Sequence, residues 1–349
     1  MKAKSLLSLI LLLVIVGSLW FFLKKNGDNK IDENSGIGTY LFANLPIDSM
    51  SSVFMQDGLN SVTLIKKDNS WIVAEKGYRA DIDKMRNTVS ELRDAKIWKV
   101  IKATDEIRSR LNLINPSSTE QPNDNKATRL VVRKENEDIM ADMLVGSFRT
   151  SPEGRKEGGR YIIKNGLPEI INIDVSLAFI DALPQSWLNT KLIDIKSNMI
   201  KKISAFNIDG MGNFSFGRSG EEVGFDPIIF PEGEEPDNDK LTRVAESLEN
   251  LNFIDVLPIS DIDVSPENYL NFELNDGTAF NIYPMIADGK KFIKIELFPN
   301  ELNEKETSDE AINGIELQKH FAQWMFILST WEYEAFITRA ENLILEEKI

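Results

Sequence analysis

The sequence predicts an α+β protein built as two tandem similar modules of short antiparallel strands with packed helices, behind an N-terminal transmembrane helix. Three observations lead there. Residues 5–23, SLLSLILLLVIVGSLWFFL, carry no charge. The pattern DKMRNTVSELRDAKIWKV at 83–100 returns as DKLTRVAESLENLNFIDV at 239–256. Both copies are preceded and followed by three short runs of strand character.

The apolar run is flanked by Lys2, Lys4, Lys24 and Lys25. At about 1.5 Å per helical residue it reaches roughly 28 Å, close to the hydrocarbon thickness of a bilayer. A cleaved signal peptide has a shorter apolar region ending at small residues. This run ends instead in Leu19, Trp20, Phe21 and Phe22, which suit a membrane interface. Without cysteine there is no thiol to carry a lipid in its place. The chain therefore divides into an anchor at 1–25, a polar Gly- and Asn-bearing linker at 26–40, a first module at 41–190 and a second at 191–349. The flanking lysines nearly balance and do not set the orientation. A short basic leader before a single apolar segment and a large body is the usual signal-anchor arrangement, so the body is expected outside the cytoplasm.

In the first module SSVFM (51–55), SVTLI (61–65) and SWIVA (70–74) read as a small antiparallel meander, with turn signals at Asp57-Gly58 and Asp68-Asn69. Met85, Val89, Leu92 and Ala95 then fall at helical spacing behind Asp83, a good N-cap residue. The second copy places Leu241, Val244, Leu248 and Leu251 behind Asp239, preceded by KKISAFN (201–207), GNFSFG (212–217) and EVGF (222–225). Downstream, RLVVRK (129–134), DIMADMLVG (138–146) and RYIIK (160–164) have counterparts in YLNFEL (269–274), TAFNIYP (278–284) and KFIKIEL (291–297). Two modules of about 145 residues each have the size of ordinary single domains.

The segments LPIDSMSSVFM, SWIVAEKGYRADIDKMRNTVSELRDAKI, LVGSFRTSPEGRKEGGRYIIK and LIDIKSNMIKKIS, with the anchor ahead of them, resemble a bacterial family of membrane-anchored proteins known as domain of unknown function 4340. The resemblance covers residues 45–205 well and the second half less sharply. Genes of that family often stand beside an ABC transporter resembling the auxiliary transporter of gliding motility. The resemblance thus implies a bacterial inner-membrane, single-pass protein in an extracytoplasmic accessory role, with ABC-type transporter subunits as partners. It implies no reaction.

Composition narrows the chemistry. The formal charge of -15 argues against nucleic acid and anionic headgroups as broad-surface partners, since both require a positive field. Contact with the lipid bilayer is expected through residues 5–23. One histidine and no cysteine remove Cys/His zinc sites, Cys nucleophiles and His-dependent serine triads, and His320 reads as a structural residue near a helical turn. DIDVSPENYLNF (261–272) begins like a calcium loop but has Pro266 and Phe272 where Gly and Glu are required. PEGEEPDNDK (231–240) reads as a solvated loop entering the second helix. No phosphate-binding loop of the G-x-x-x-x-G-K-[ST] type occurs, and no cofactor is expected.

Two places remain as candidate partner contacts. The glycines of SPEGRKEGGRYI sit between two strand-like runs and read as a hairpin tip, where Arg149, Arg155, Lys156 and Arg160 cluster on an otherwise acidic chain. The C-terminal stretch from His320 is the most aromatic part of the body, with Phe321, Trp324, Met325 and Leu328 at helical spacing and then Trp331 and Tyr333 alternating as in a short strand. Trp324, Trp331 and Tyr333 serve either a core or an interface. The expected function is a non-enzymatic, membrane-anchored scaffolding or accessory protein. A receptor for a small molecule, glycan or peptide is the alternative. A carboxylate-dependent hydrolase comes third, because no carboxylate pair can be singled out.

Overall fold

The computed structural model describes residues 36–43, 45–68, 70–119, 125–150, 156–218, 224–262, 268–300 and 314–346. The expected membrane segment 5–23 and most of the linker lie outside them. Among the described residues no helix is long and apolar enough to cross a membrane. The chain forms two compact units, one from Met1–Ser61 with Arg86–Ala182, the other from Val62–Met85 with Leu183–Ile349.

In chain order the elements are β1 (Met50–Gln56), β2 (Ser61–Lys67), β3 (Ser70–Val73), β4 (Tyr78–Arg79), α1 (Ile82–Asp94), β5 (Ile97–Lys102), α2 (Asp105–Arg110), β6 (Thr128–Lys134), β7 (Ile139–Thr150), β8 (Lys156–Lys164) and β9 (Glu169–Ile173). There follow β10 (Lys191–Ile193), β11 (Ile200–Phe206), β12 (Phe214–Gly217), β13 (Asp226–Ile229), α3 (Asn238–Glu246), β14 (Leu251–Asn252), β15 (Asp255–Pro258), β16 (Tyr269–Leu274), β17 (Ala279–Ala287), β18 (Lys290–Phe298), α4 (Gly314–Phe321), β19 (Trp324–Ile327) and α5 (Thr330–Glu334). The architecture is α+β, with antiparallel sheets dominant.

In the first unit six strands pair antiparallel in the order β1-β6-β7-β8-β9-β5. In the second unit β11-β16-β17-β18-β19-β15 repeat that order strand for strand, and β12 and β13 extend the sheet from β11. Even the irregularity is shared. The β1–β6 register slips between Met50 and Ser52, and the β11–β16 register slips between Ile200 and Lys202. Strand β16 shows why these segments pair: Leu270, Phe272 and Leu274 are buried while Tyr269, Asn271 and Glu273 lie on the wetter face. Strand β9 is buried from Ile170 through Ile173, as a strand covered on both faces must be.

The helix caps lie two residues before the expected ones. The carboxylate of Asp81 accepts the N–H groups of Asp83 and Lys84, and Asp237 does the same for Asp239 and Lys240. Asp83 and Asp239 instead lie in the first turn, where their charge faces the positive helix end. The reason is tertiary. The Asp81 N–H donates to the Trp187 carbonyl and the Asp237 N–H to the Leu343 carbonyl, so each chain enters its helix at the earlier aspartate. Helix α3 also stops at Glu246. Leu248 is buried in the following turn and Leu251 opens β14.

The C-terminal aromatic stretch reverses the expected order. Trp324 and Met325 lie on strand β19, which pairs with β15 and β18, and Leu328 follows it directly. Trp331 and Tyr333 lie on helix α5. A capping box starts that helix: the Ser329 hydroxyl accepts the Glu332 N–H, and the Glu332 carboxylate reaches back to Ser329.

Replacing either cap is expected to cost about 1 kcal/mol in urea denaturation, for Asp81→Ala and for Asp237→Ala alike. Asp239→Ala should cost less than half as much, because a first-turn charge interaction is worth less than a cap.

Candidate functional site

The basic hairpin does not present its arginines as one exposed cluster. Arg160 turns inward. Its guanidinium lies 3.8 Å from the Phe148 ring centroid and donates to the Gly146 carbonyl at 2.7 Å, and burial lowers its pKa. Arg149 stacks 4.4 Å from the Trp98 ring centroid and donates to the Asn172 side chain at 3.2 Å. Asn172 is itself buried and donates to the Arg160 carbonyl, so both arginines belong to one network across β7, β8 and β9. Between them Gly159 has φ +96°, and a Cβ there would lie 2.5 Å from the Ile173 carbonyl oxygen. Lys156 pairs with Thr150 at the start of β8, and Arg155 lies outside the described residues.

The three C-terminal aromatics have separate fates. Tyr333 is 3% exposed and packs in the core. Trp324 is partly buried, edge-on to Tyr78 with ring centroids 5.2 Å apart. Trp331 alone faces water, at 82% exposure. It borders an open cavity of about 390 Å³ inside the second unit, between α3 and the segment from α5 to Leu343. Val244, Leu251 and Leu343 are buried side chains that form its apolar lining.

Three of the six charged residues around this cavity are already engaged. Lys240 pairs with Glu346 at 3.1 Å, and Glu332 belongs to the capping box. Glu249 accepts the Ser197 N–H at 2.7 Å and pairs with Lys196, bonds that lower its pKa. The volume falls in the range of small-ligand pockets. Such a site binds by excluding water from apolar surface. Among the described residues no group of three or more His, Asp or Glu side chains is placed to hold a metal ion.

His320 lies in the last turn of helix α4 and meets Tyr78, its Nε2 sharing a hydrogen bond of 3.0 Å with the phenol oxygen. Tyr78 also packs against Phe253 and Phe326. Burial in this aromatic nest, with the Arg79 charge adding to it, lowers the imidazole pKa from 6.5 to about 4, and burial raises that of Tyr78. The residue is a neutral, partly buried polar group with a partner.

Between pH 4 and pH 6.5 the unfolded chain holds a proton on this imidazole that the folded chain does not, so stability falls as the solution is acidified through that window. The effect amounts to about 3 kcal/mol at most. His320→Gln keeps a hydrogen-bonding partner for Tyr78 but does not titrate. Its loss of stability between pH 7 and pH 4.5, measured by urea denaturation, should be smaller than that of the parent, by no more than about 2 kcal/mol. Equal pH dependence in both proteins would contradict the neutral imidazole.

No curated protein and no solved structure matches this chain. A family does match over residues 71–271, more than half of the chain, from β3 through α1, strands β5 to β9 and α3 into β16. The match takes in both capped helices, while β1 and the strands β17 to β19 lie outside it. The chain belongs to the family described as Domain of unknown function (DUF4340).

Proposed function

We propose that the protein is a membrane-anchored, non-enzymatic accessory or scaffolding protein, with its body outside the cytoplasm of a bacterial inner membrane, that binds subunits of an ABC-type transporter. The observation that carries this reading is Trp331, an indole held in water beside an apolar-lined cavity. Tryptophan is enriched among residues that dominate binding energy, and its desolvation on contact is favourable at about 25 cal/mol per Å² of apolar surface. Residues 5–23 supply a segment of bilayer length. The matching strand orders favour two tandem modules that arose by duplication, a design that multiplies related surfaces without requiring a reactive centre.

A second reading, an extracytoplasmic receptor for a small molecule, glycan or peptide, draws on the same cavity, whose size suits a modest ligand.

Affinity purification of the full chain from detergent-solubilised native membranes should recover transporter subunits. Trp331→Ala should reduce that recovery about tenfold, as expected for an interface residue of this type. A parent chain that consistently emerges alone would overturn the accessory reading.

A further inference from the structure

The two capped helices supply an internal comparison. The Asp81 N–H donates to the Trp187 carbonyl at 2.8 Å, and the Asp237 N–H donates to the Leu343 carbonyl at 2.7 Å. The neighbouring residues form equivalent antiparallel bridges, Ala80 with Leu188 and Pro236 with Ile344. Lys84 donates to the Ser186 carbonyl and Lys240 to the Ile344 carbonyl, so a lysine near the start of the helix reaches the same returning strand in both places. Trp187 and Leu343 therefore occupy corresponding positions.

What fills those positions differs. Trp187 is 1% exposed, and its indole lies under the Lys84 ammonium, 4.5 Å from ring centroid to Nζ. At the counterpart stands Leu343, a smaller side chain without an aromatic face. The cavity of about 390 Å³ opens against it, with Lys240 on its wall where Lys84 covers the indole. The framework that encloses an indole at one capped helix leaves open space at the other.

We propose that this cavity binds an aromatic side chain, an indole above all, presented by a polypeptide segment of a partner that carries a basic residue beside it. The occupant is a peptide-borne ring because that is what the corresponding position holds at Trp187. The basic neighbour follows from charge. With Lys240, Glu249 and Glu332 engaged locally, the rim groups without an ion-pair partner among the described residues are Arg243, Glu246 and Glu334, which together are negative. Exposed Trp331 supplies a further aromatic surface against the incoming ring. The inference rests on the reading of this surface as a binding face, and it holds whichever protein is the partner.

The test titrates the detergent-solubilised full chain with N-acetyl-lysyl-tryptophanamide, followed by calorimetry and by ligand-observed saturation-transfer NMR. Saturable binding below about 1 mM is expected for a ligand of this size. Leu343→Trp places an indole where Trp187 has one and should weaken binding at least tenfold. The exposed double variant Glu246→Gln, Glu334→Gln leaves the packed interior untouched. It should weaken the lysyl probe about fivefold while leaving N-acetyl-tryptophanamide unchanged. Absence of saturable binding to the parent chain would overturn the proposal, as would undiminished binding by folded Leu343→Trp. Equal binding of N-acetyl-lysyl-alaninamide would also overturn it, by removing the ring from the recognition. The peptide needs no transporter, so a failed co-purification together with successful titration would count against the transporter partner and not against the pocket.

Discussion

At two places one aspartate uses both its backbone and its side chain, and much of the second unit is arranged around them. The N–H of Asp81 or Asp237 is held by a carbonyl far along the chain, and the carboxylate of the same residue receives the first free N–H groups of a helix. A helix start has unsatisfied donors that must find acceptors. Satisfying them with a residue that is itself pinned to Trp187 or Leu343 fixes where the helix begins and where the returning segment lies. The cavity beside Trp331 is bounded by these two features, helix α3 and the segment ending at Leu343.

Some charged side chains here serve packing as well as the surface. Arg160 and Arg149 cover aromatic faces and bridge strands through Asn172 and the Gly146 carbonyl. Arginine suits this use because its planar, weakly hydrated guanidinium stacks on rings while donating in several directions. Buried Ser204 and Ser215 satisfy each other across β11 and β12 at 2.9 Å, and His320 and Tyr78 do the same among aromatic rings. Each is a polar group whose burial is tolerated because a partner replaces water.

Repetition of a sheet order leaves room for divergence in what the sheet and helices enclose. The register slip after Met50 recurs after Ile200, so backbone geometry is held in common at a detailed level. Side chains are freer. A tryptophan at one returning segment and a leucine at the other change a filled space into an open one without altering the hydrogen bonds that define the segment. Close-packed interiors respond to differences of this size, because a missing ring leaves its neighbours without contacts.

Local pattern alone determined the strands β1, β2, β3, β6 and β16 and the presence of both principal helices, because alternation and helical spacing are properties of adjacent residues. It also determined the chemistry that is missing, since one histidine and no cysteine exclude whole classes of site wherever the chain folds. The true cap positions were not legible. Asp-Ile-Asp and Asp-Asn-Asp offer two equivalent caps, and a distant carbonyl chose between them. The apolar run of β9 has no alternation to mark it, because it is buried on both faces. Trp324 and Met325 became a strand by pairing with β15 and β18, against their helical spacing. The start of α5 was written locally, as Ser329 followed by Glu332, and alternating aromatics obscured it. Which of the seven candidate contact residues faces water was a tertiary matter throughout. Arg160 and Tyr333 are drawn inward and Trp331 is left outside, because burial depends on which element passes overhead, and that is decided by pairings between residues far apart in the chain.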